Sequence, residues 1–129
     1  MNKQIQDCLG FALGGVSADI SSALDSAYVS AADARRILAH VQAVGAADAS
    51  TLTVQFREAT DDQGTGVQNL GSAITQAAPS GGGDISITPE IRADELSEGF
   101  THVTVRISVD AGAPAGAIGL VSGDRRFNP

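Results

Sequence analysis

The stretch Thr101-His102-Val103-Thr104-Val105-Arg106-Ile107-Ser108-Val109 decides the fold. Its apolar residues Val103, Val105, Ile107 and Val109 alternate with His102, Thr104, Arg106 and Ser108. Successive side chains of an extended chain point to opposite faces, so a period of two describes a strand with one face in a core and one toward water. Leu52, Val54 and Phe56 alternate in the same way with Thr51, Thr53, Gln55 and Arg57. Ile85 and Ile87 continue the theme until Pro89, whose missing N–H confines that strand to a sheet edge or ends it. Ile118 and Leu120 make a short last strand between Gly116 and Gly123.

Turn-forming runs separate these strands: Asp61-Asp62-Gln63-Gly64, Pro79-Ser80-Gly81-Gly82-Gly83 and Gly112-Ala113-Pro114-Ala115-Gly116. Several short strands between Gly/Pro turns predict an all-β domain, an antiparallel β-sandwich or jelly roll. One segment has two readings. Ser30-Ala31-Ala32-Asp33 followed by Ala34, Ile37, Leu38 and Val41 makes a helical stripe ending at Gly45. At period two, Ile37, Ala39, Val41 and Ala43 face inward while Arg36, His40 and Gln42 face out. The local pattern taken alone favours the helix.

The first thirty residues differ from the rest. Ile5, Leu9, Ala12 and Leu13 fall at helical spacing, but Gly10, Gly14 and Gly15 weaken such a helix, and Ser17 to Ser26 offers only Ile20 and Leu24 as apolar anchors. The region reads either as an extended or partly helical arm that a neighbour orders, or as an ordinary edge segment closing one end of the core. The expected organisation is an arm over residues 1–30 and a β-sandwich domain over 31–129, ending in a tail at 123–129.

Composition sets bounds on function. The chain has 129 residues, which suits one domain. Apolar residues are 43% of it, but alanine dominates them; there are 4 Phe, 1 Tyr and no Trp. This suits a thin, tightly packed core and offers few platforms for stacking sugars or bases. A net charge of −7 opposes binding to nucleic acid or anionic lipid, which requires concentrated Lys and Arg. The single cysteine, Cys8, excludes an internal disulfide framework. No apolar run reaches the roughly 20 residues that span a bilayer, and Met1 to Asp7 lacks the apolar character of a signal peptide. A soluble, acidic domain made inside the cell is expected.

The residues supply no catalytic set. Gly119-Leu120-Val121-Ser122-Gly123 lacks the spacing of a hydrolase elbow, and His40 and His102 sit among polar companions on strand-like runs, where they read as surface histidines. Those histidines and Cys8 lack paired metal-ligand spacing. Asp61 and Asp62 with Gly64 and Gly66 suit calcium in ligand type but not in the rhythm of a calcium loop; turn chemistry accounts for them. Gly81-Gly82-Gly83 precedes a strand, not a helix, and reads as a connector rather than a phosphate loop. Glu90, Asp94, Glu95 and Glu98 form an acidic corner, the pattern of a solvated face. No enzyme activity, cofactor or metal is expected. At the end of the chain, Arg125 and Arg126 immediately precede Phe127, an apolar-basic tail that needs a surface to pack on, its own sandwich or an adjacent subunit.

The order of these elements carries a resemblance. Arg36-Ile37-Leu38-Ala39-His40-Val41 is followed by Leu52-Thr53-Val54-Gln55-Phe56-Arg57-Glu58-Ala59-Thr60-Asp61-Asp62, then by the 101–109 strand, and the chain closes on Gly123-Asp124-Arg125-Arg126-Phe127-Asn128-Pro129. Over residues 33–129 this resembles the small β-sandwich proteins that decorate or cement the heads of tailed bacteriophages. The aromatic often found after the Asp-rich turn in that family is absent here, where Thr65-Gly66-Val67 stands. The resemblance implies that residues 36–44 form a strand. It also implies a structural virion protein on the outer surface of the capsid, with the major capsid protein and its own copies, as a homodimer or homotrimer, for partners. Adhesion would come from strand addition at exposed edges and from arms that fold on contact. The residues expected to carry it are Ile5, Leu9, Phe11, Leu13, Ile20 and Leu24 in the arm and Arg125, Arg126 and Phe127 in the tail. The alternatives in function are a phage tail or adhesin component and a carbohydrate-binding β-sandwich module.

Overall fold

The structure, a computed structural model, describes residues 10–17, 19–20, 22–31 and 35–123. It is an all-β sandwich of two antiparallel sheets. In chain order the strands are β1 (Gly10–Ser17), β2 (Leu24–Asp25), β3 (Val29–Ser30), β4 (Arg36–Ala46), β5 (Thr51–Ala59), β6 (Gln68–Asn69), β7 (Ile74–Ala77), β8 (Gly83–Ile87), β9 (Glu90–Arg92), β10 (His102–Val109) and β11 (Ala115–Gly123). A 3-10 turn, Ala93–Glu95, follows β9.

One sheet runs β1-β11-β4, with β8 and β9 placed end to end along the far side of β4. The other runs β10-β5, with β2 and β3 end to end along β10 and β6 and β7 end to end along β5. Each end-to-end pair fills one strand position, so both sheets are four positions wide. Numbering those positions along the chain gives 1-8-3-6 in the first sheet and 2-7-4-5 in the second. The chain therefore crosses between sheets at every connection except the β5-to-β6 hairpin, the double-sheet arrangement of a jelly roll.

Alternation explains the core. Leu52, Val54 and Phe56 of β5 and Val103, Val105, Ile107 and Val109 of β10 are buried. They face Ile37, Ala39, Val41 and Ala43 of β4 and Ile118 and Leu120 of β11. The 36–46 segment is thus a strand, as the resemblance implies and against the helix that local pattern favours. It pairs with β11 from Arg36↔Gly123 to Val44↔Ala115 and with β8 and β9 on its other side. As a strand it buries Ile37, Ala39, Val41 and Ala43 and leaves Leu38 half-buried, where a helix would have buried Leu38. Neighbouring strands on both sides satisfy its backbone, and that outweighs alanine's helical preference.

Pro89 sits at an edge, as its chemistry requires: it separates β8 from β9 while its carbonyl accepts the Ala39 N–H at 2.8 Å. Gly116 lets the sheets close. A Cβ there would stand 2.6 Å from Ile20 Cγ2 and 2.9 Å from Ile20 Cδ1.

Residues 10–30 join the sandwich wherever they are described. Gly10–Ser17 pairs along β11 with an irregularity between Leu13 and Gly15, and β2 and β3 pair with β10.

Candidate interaction surface

Of the residues expected to grip a partner, Ile5, Leu9, Arg125, Arg126 and Phe127 lie outside the described residues. Phe11 and Leu13 lie on β1, in register with Val121 and Gly119. Ile20 is a correction: it is fully buried in this chain's own core. Its N–H donates to the Pro114 carbonyl at 2.9 Å and its carbonyl accepts from Val109 at 3.2 Å. A partner has no access to it, because the space between the β10 and β11 ends is closed by this side chain. Leu24 on β2 is half-buried and packs against the same core.

The titratable groups are also dispersed. His40 is outward on β4 of one sheet, and His102 is outward on β10 of the other, where its Nδ1 lies 2.8 Å from Thr101 Oγ1. The two sit on opposite faces of the sandwich. Asp61 is consumed by its turn: Oδ1 accepts the N–H groups of Gln63 and Thr65 at 2.9 and 3.0 Å, and Oδ2 accepts the Thr65 hydroxyl. Those bonds hold its carboxyl below the usual range. Among the described residues no three His, Cys, Asp or Glu side chains form a metal-binding group. In the acidic corner, Glu90 pairs with Arg36 at 3.6 Å, Arg92 with Asp94 at 3.2 Å, and Glu95 accepts the Arg92 N–H at 2.6 Å.

Sequence reading missed Glu58. It occupies the inner row of β5 after Leu52, Val54 and Phe56 and is buried to 1% exposure. One carboxylate oxygen accepts the Ser97 N–H at 2.8 Å; the other accepts the Ser97 hydroxyl and the Gln68 amide, each at 2.6 Å. The alternation itself carried the signal, because a Glu in phase with three core residues must find internal partners. These bonds pin the 93–97 segment and β6 to the end of the sheet, so this carboxylate is structural.

The outer face of the β10 sheet is likewise organised by internal contacts. Arg106 grips Asp25 with two bonds, Nε to Oδ1 at 2.6 Å and Nη2 to Oδ2 at 2.9 Å. The arginine's hydrogen bonds lower the Asp25 pKa. Where β2 gives way to β3, the buried Ser26 and Thr104 hydroxyls lie 2.9 Å apart, and Ser26 Oγ accepts the Val105 N–H at 2.8 Å.

Two hollows lie along the side formed by β6 and β7 on one sheet and β8 and β9 on the other. An open groove of about 400 Å³ runs between β7 and β8, lined by Gln76, Ala77, Pro79, Asp84, Ile85 and Ser86. A second hollow of about 320 Å³ lies between the 70–74 segment and β9, where Phe56, Leu70, Ile74 and Ile91 meet Glu90 and Glu95. Ile74 pairs with the buried Val54 and faces inward, yet it is 39% exposed. Beside the groove Asp84 accepts the Gly45 N–H at 3.0 Å, and beside the second hollow Glu90 and Glu95 hold the contacts to Arg36 and Arg92 already described.

No protein family matches this chain in sequence, and no curated protein is similar to it. Solved structures match it in shape. The T13 viral particle of infectious bursal disease virus is similar at a TM-score of 0.54, with 12% identity over 89% of this chain and 31% of that one. The Gx strain of infectious bursal disease virus matches at 0.50, with 14% identity over 94% of this chain and 30% of the other. A carbohydrate-binding module specific for non-crystalline cellulose matches at 0.49, with 8% identity, over 90% and 72%. The chain spans about a third of the length of the viral proteins it matches. These likenesses are of fold: a jelly-roll sandwich.

Proposed function

We propose that this chain is a structural virion protein that decorates or cements the outer surface of a tailed-phage capsid, bridging subunits of the major capsid protein. The observation that carries the proposal is the jelly-roll strand order, 1-8-3-6 facing 2-7-4-5, an arrangement that virus shells use widely. A fold hosts many functions, so surface chemistry must narrow the choice. Here the described polar clusters close on themselves, which fits an adhesive, non-enzymatic role better than catalysis. A charge of −7 favours the outer face of a shell, because the lumen holds DNA of the same sign. Nucleic acid and membranes are not partners in this reading, no cofactor is needed, and synthesis takes place in the cytoplasm of the bacterial host. Binding only the assembled lattice would stabilise it by mass action.

The test mixes the purified protein with expanded, undecorated tailed-phage heads and images them by cryo-electron microscopy. Added density at symmetry-related outer sites is the expected result. Bare heads at saturating protein, or binding to tail structures or to a glycan array instead, would overturn the proposal.

A further inference from the structure

Edge strands expose unpaired N–H and C=O groups, and proteins usually blunt them with charge, proline, bulges or cover. Three of the four edge positions described here carry such a device. The β1 edge is irregular between Leu13 and Gly15. The β8 and β9 edge carries Asp84, Glu90 and Arg92 and is broken at Pro89. The β2 and β3 edge carries the Asp25–Arg106 pair and is interrupted at Ser26. The β6 and β7 edge is short and interrupted between Asn69 and Ile74, but β7 itself carries no charge, proline or bulge. From Gln63 to Gly83 the sequence holds no charged residue, in a chain that is 18% charged overall. All four residues of β7, Ile74-Thr75-Gln76-Ala77, are exposed, and their pairing with β5 is regular from Val54↔Ile74 to Thr51↔Ala77.

We infer that β7 is a self-pairing edge, at which a second copy of this chain adds its own β7 antiparallel across a two-fold axis. The Ala78 N–H donates inward to Ser50 at 2.9 Å. By alternation Gln76 and Ile74 also turn their backbone groups toward β5, so those of Thr75 and Ala77 point outward. With the axis beside Gln76, Thr75 of one copy stands opposite Ala77 of the other, and the two pairs exchange four main-chain hydrogen bonds. Pairing displaces the weak 3.4 Å contact that Gln76 Nε2 makes to the Ala77 carbonyl.

Charge leaves this edge open to a second copy. Two bodies of −7 repel each other over most of their surfaces, and a contact confined to an uncharged edge brings no like charges face to face. The joined sheet, eight positions wide, would also cover the inward-facing Ile74 that a single copy leaves 39% exposed. Such an interface is isologous and closes at two copies.

Sedimentation of the full chain tests this in solution, without capsids, and so stands apart from the proposed function. The wild type should show a concentration-dependent dimer, with the Thr75 and Ala77 amides gaining hydrogen-exchange protection as dimer forms. Gln76→Lys places like charges across the axis and should weaken dimerisation at least ~10-fold, as should Gln76→Glu. An equimolar mixture of the two variants should restore a heterodimer. A wild-type monomer at every concentration, a dimer indifferent to both variants, or one whose Thr75 and Ala77 amides gain no protection would overturn the inference. Loss of head binding by Gln76→Lys from a monomeric wild type would also overturn it, assigning the edge to a capsid strand.

Discussion

The carboxylate of Glu58 accepts both the backbone N–H and the side-chain hydroxyl of Ser97, at 2.8 and 2.6 Å, across a separation of 39 residues in sequence. This contact fastens the segment leaving the first sheet to the end of the second. Because this one buried carboxylate accepts all three bonds, its removal loses three charge-assisted contacts at once, a more serious loss than that of a single surface bond.

Replacing Glu58 by Ala should destabilise the fold by about 2 kcal/mol, on the scale of hydrogen bonds to a charged group. Urea unfolding measures it. A Glu58→Ala protein as stable as the wild type would show that the 93–97 segment is held by other means.

The same residue predicts a pH dependence. Burial pushes the Glu58 carboxyl up, but the hydrogen bonds from Ser97 and Gln68 outweigh it and leave the pKa below that of an ordinary glutamate. A lowered folded-state pKa means that the unfolded chain binds the proton more readily. The stabilisation is therefore complete above the unfolded pKa and is lost as pH falls through the lower folded value. Thermal melts from neutral to acidic pH should show a falling midpoint whose slope is shallower in Glu58→Gln.

Gly116 and Ile20 should behave as a coupled pair. Gly116→Ala drives a methyl group into Ile20 and should cost about 1–3 kcal/mol through overpacking. Ile20→Ala should cost about 2–5 kcal/mol by leaving a cavity. The double variant should lose clearly less than the sum, because the new methyl enters the space that Ile20 vacates. Additive losses in a double-mutant cycle would contradict the packing described.

Ala49 holds a left-handed backbone with φ of 63° in the turn between β4 and β5, where the Ser50 hydroxyl donates to the Ala47 carbonyl at 2.6 Å. That conformation is unfavourable for a residue with a Cβ. Ala49→Gly relieves it, at some cost from glycine's greater freedom in the unfolded chain. A net gain of about 0.5 kcal/mol is expected in chemical denaturation.

The Asp25–Arg106 pair should matter less than its geometry suggests. Both side chains are more than 40% exposed, so solvent screens the attraction. Asp25→Asn should change stability by less than about 1 kcal/mol, and added salt should shrink the difference further.

Much of the architecture was legible in the chain. The inner rows of β5 and β10 follow from alternation alone, and Pro89 announces an edge because it lacks a donor. Glu58 was legible too, by its phase with Phe56, but it passes unnoticed where only apolar positions are counted. Ile20 was not legible. An isolated isoleucine in a Ser/Ala/Asp run has no periodic partners, and only the approach of Gly116 and Ile107 makes its site a core position.

What the residues determined by themselves is which face of each extended run is apolar and where the chain must turn, because side-chain direction and turn chemistry are local properties of the backbone. The tertiary structure decided the rest. It made β4 a strand by supplying β11, β8 and β9 as hydrogen-bonding neighbours, brought residues 10–17 to an edge of the same sheet, and among the described residues left β7 without a strand on its outer side. Backbone pairing joins residues distant in sequence, so no local pattern records which partner a strand will find or which edge will be left open.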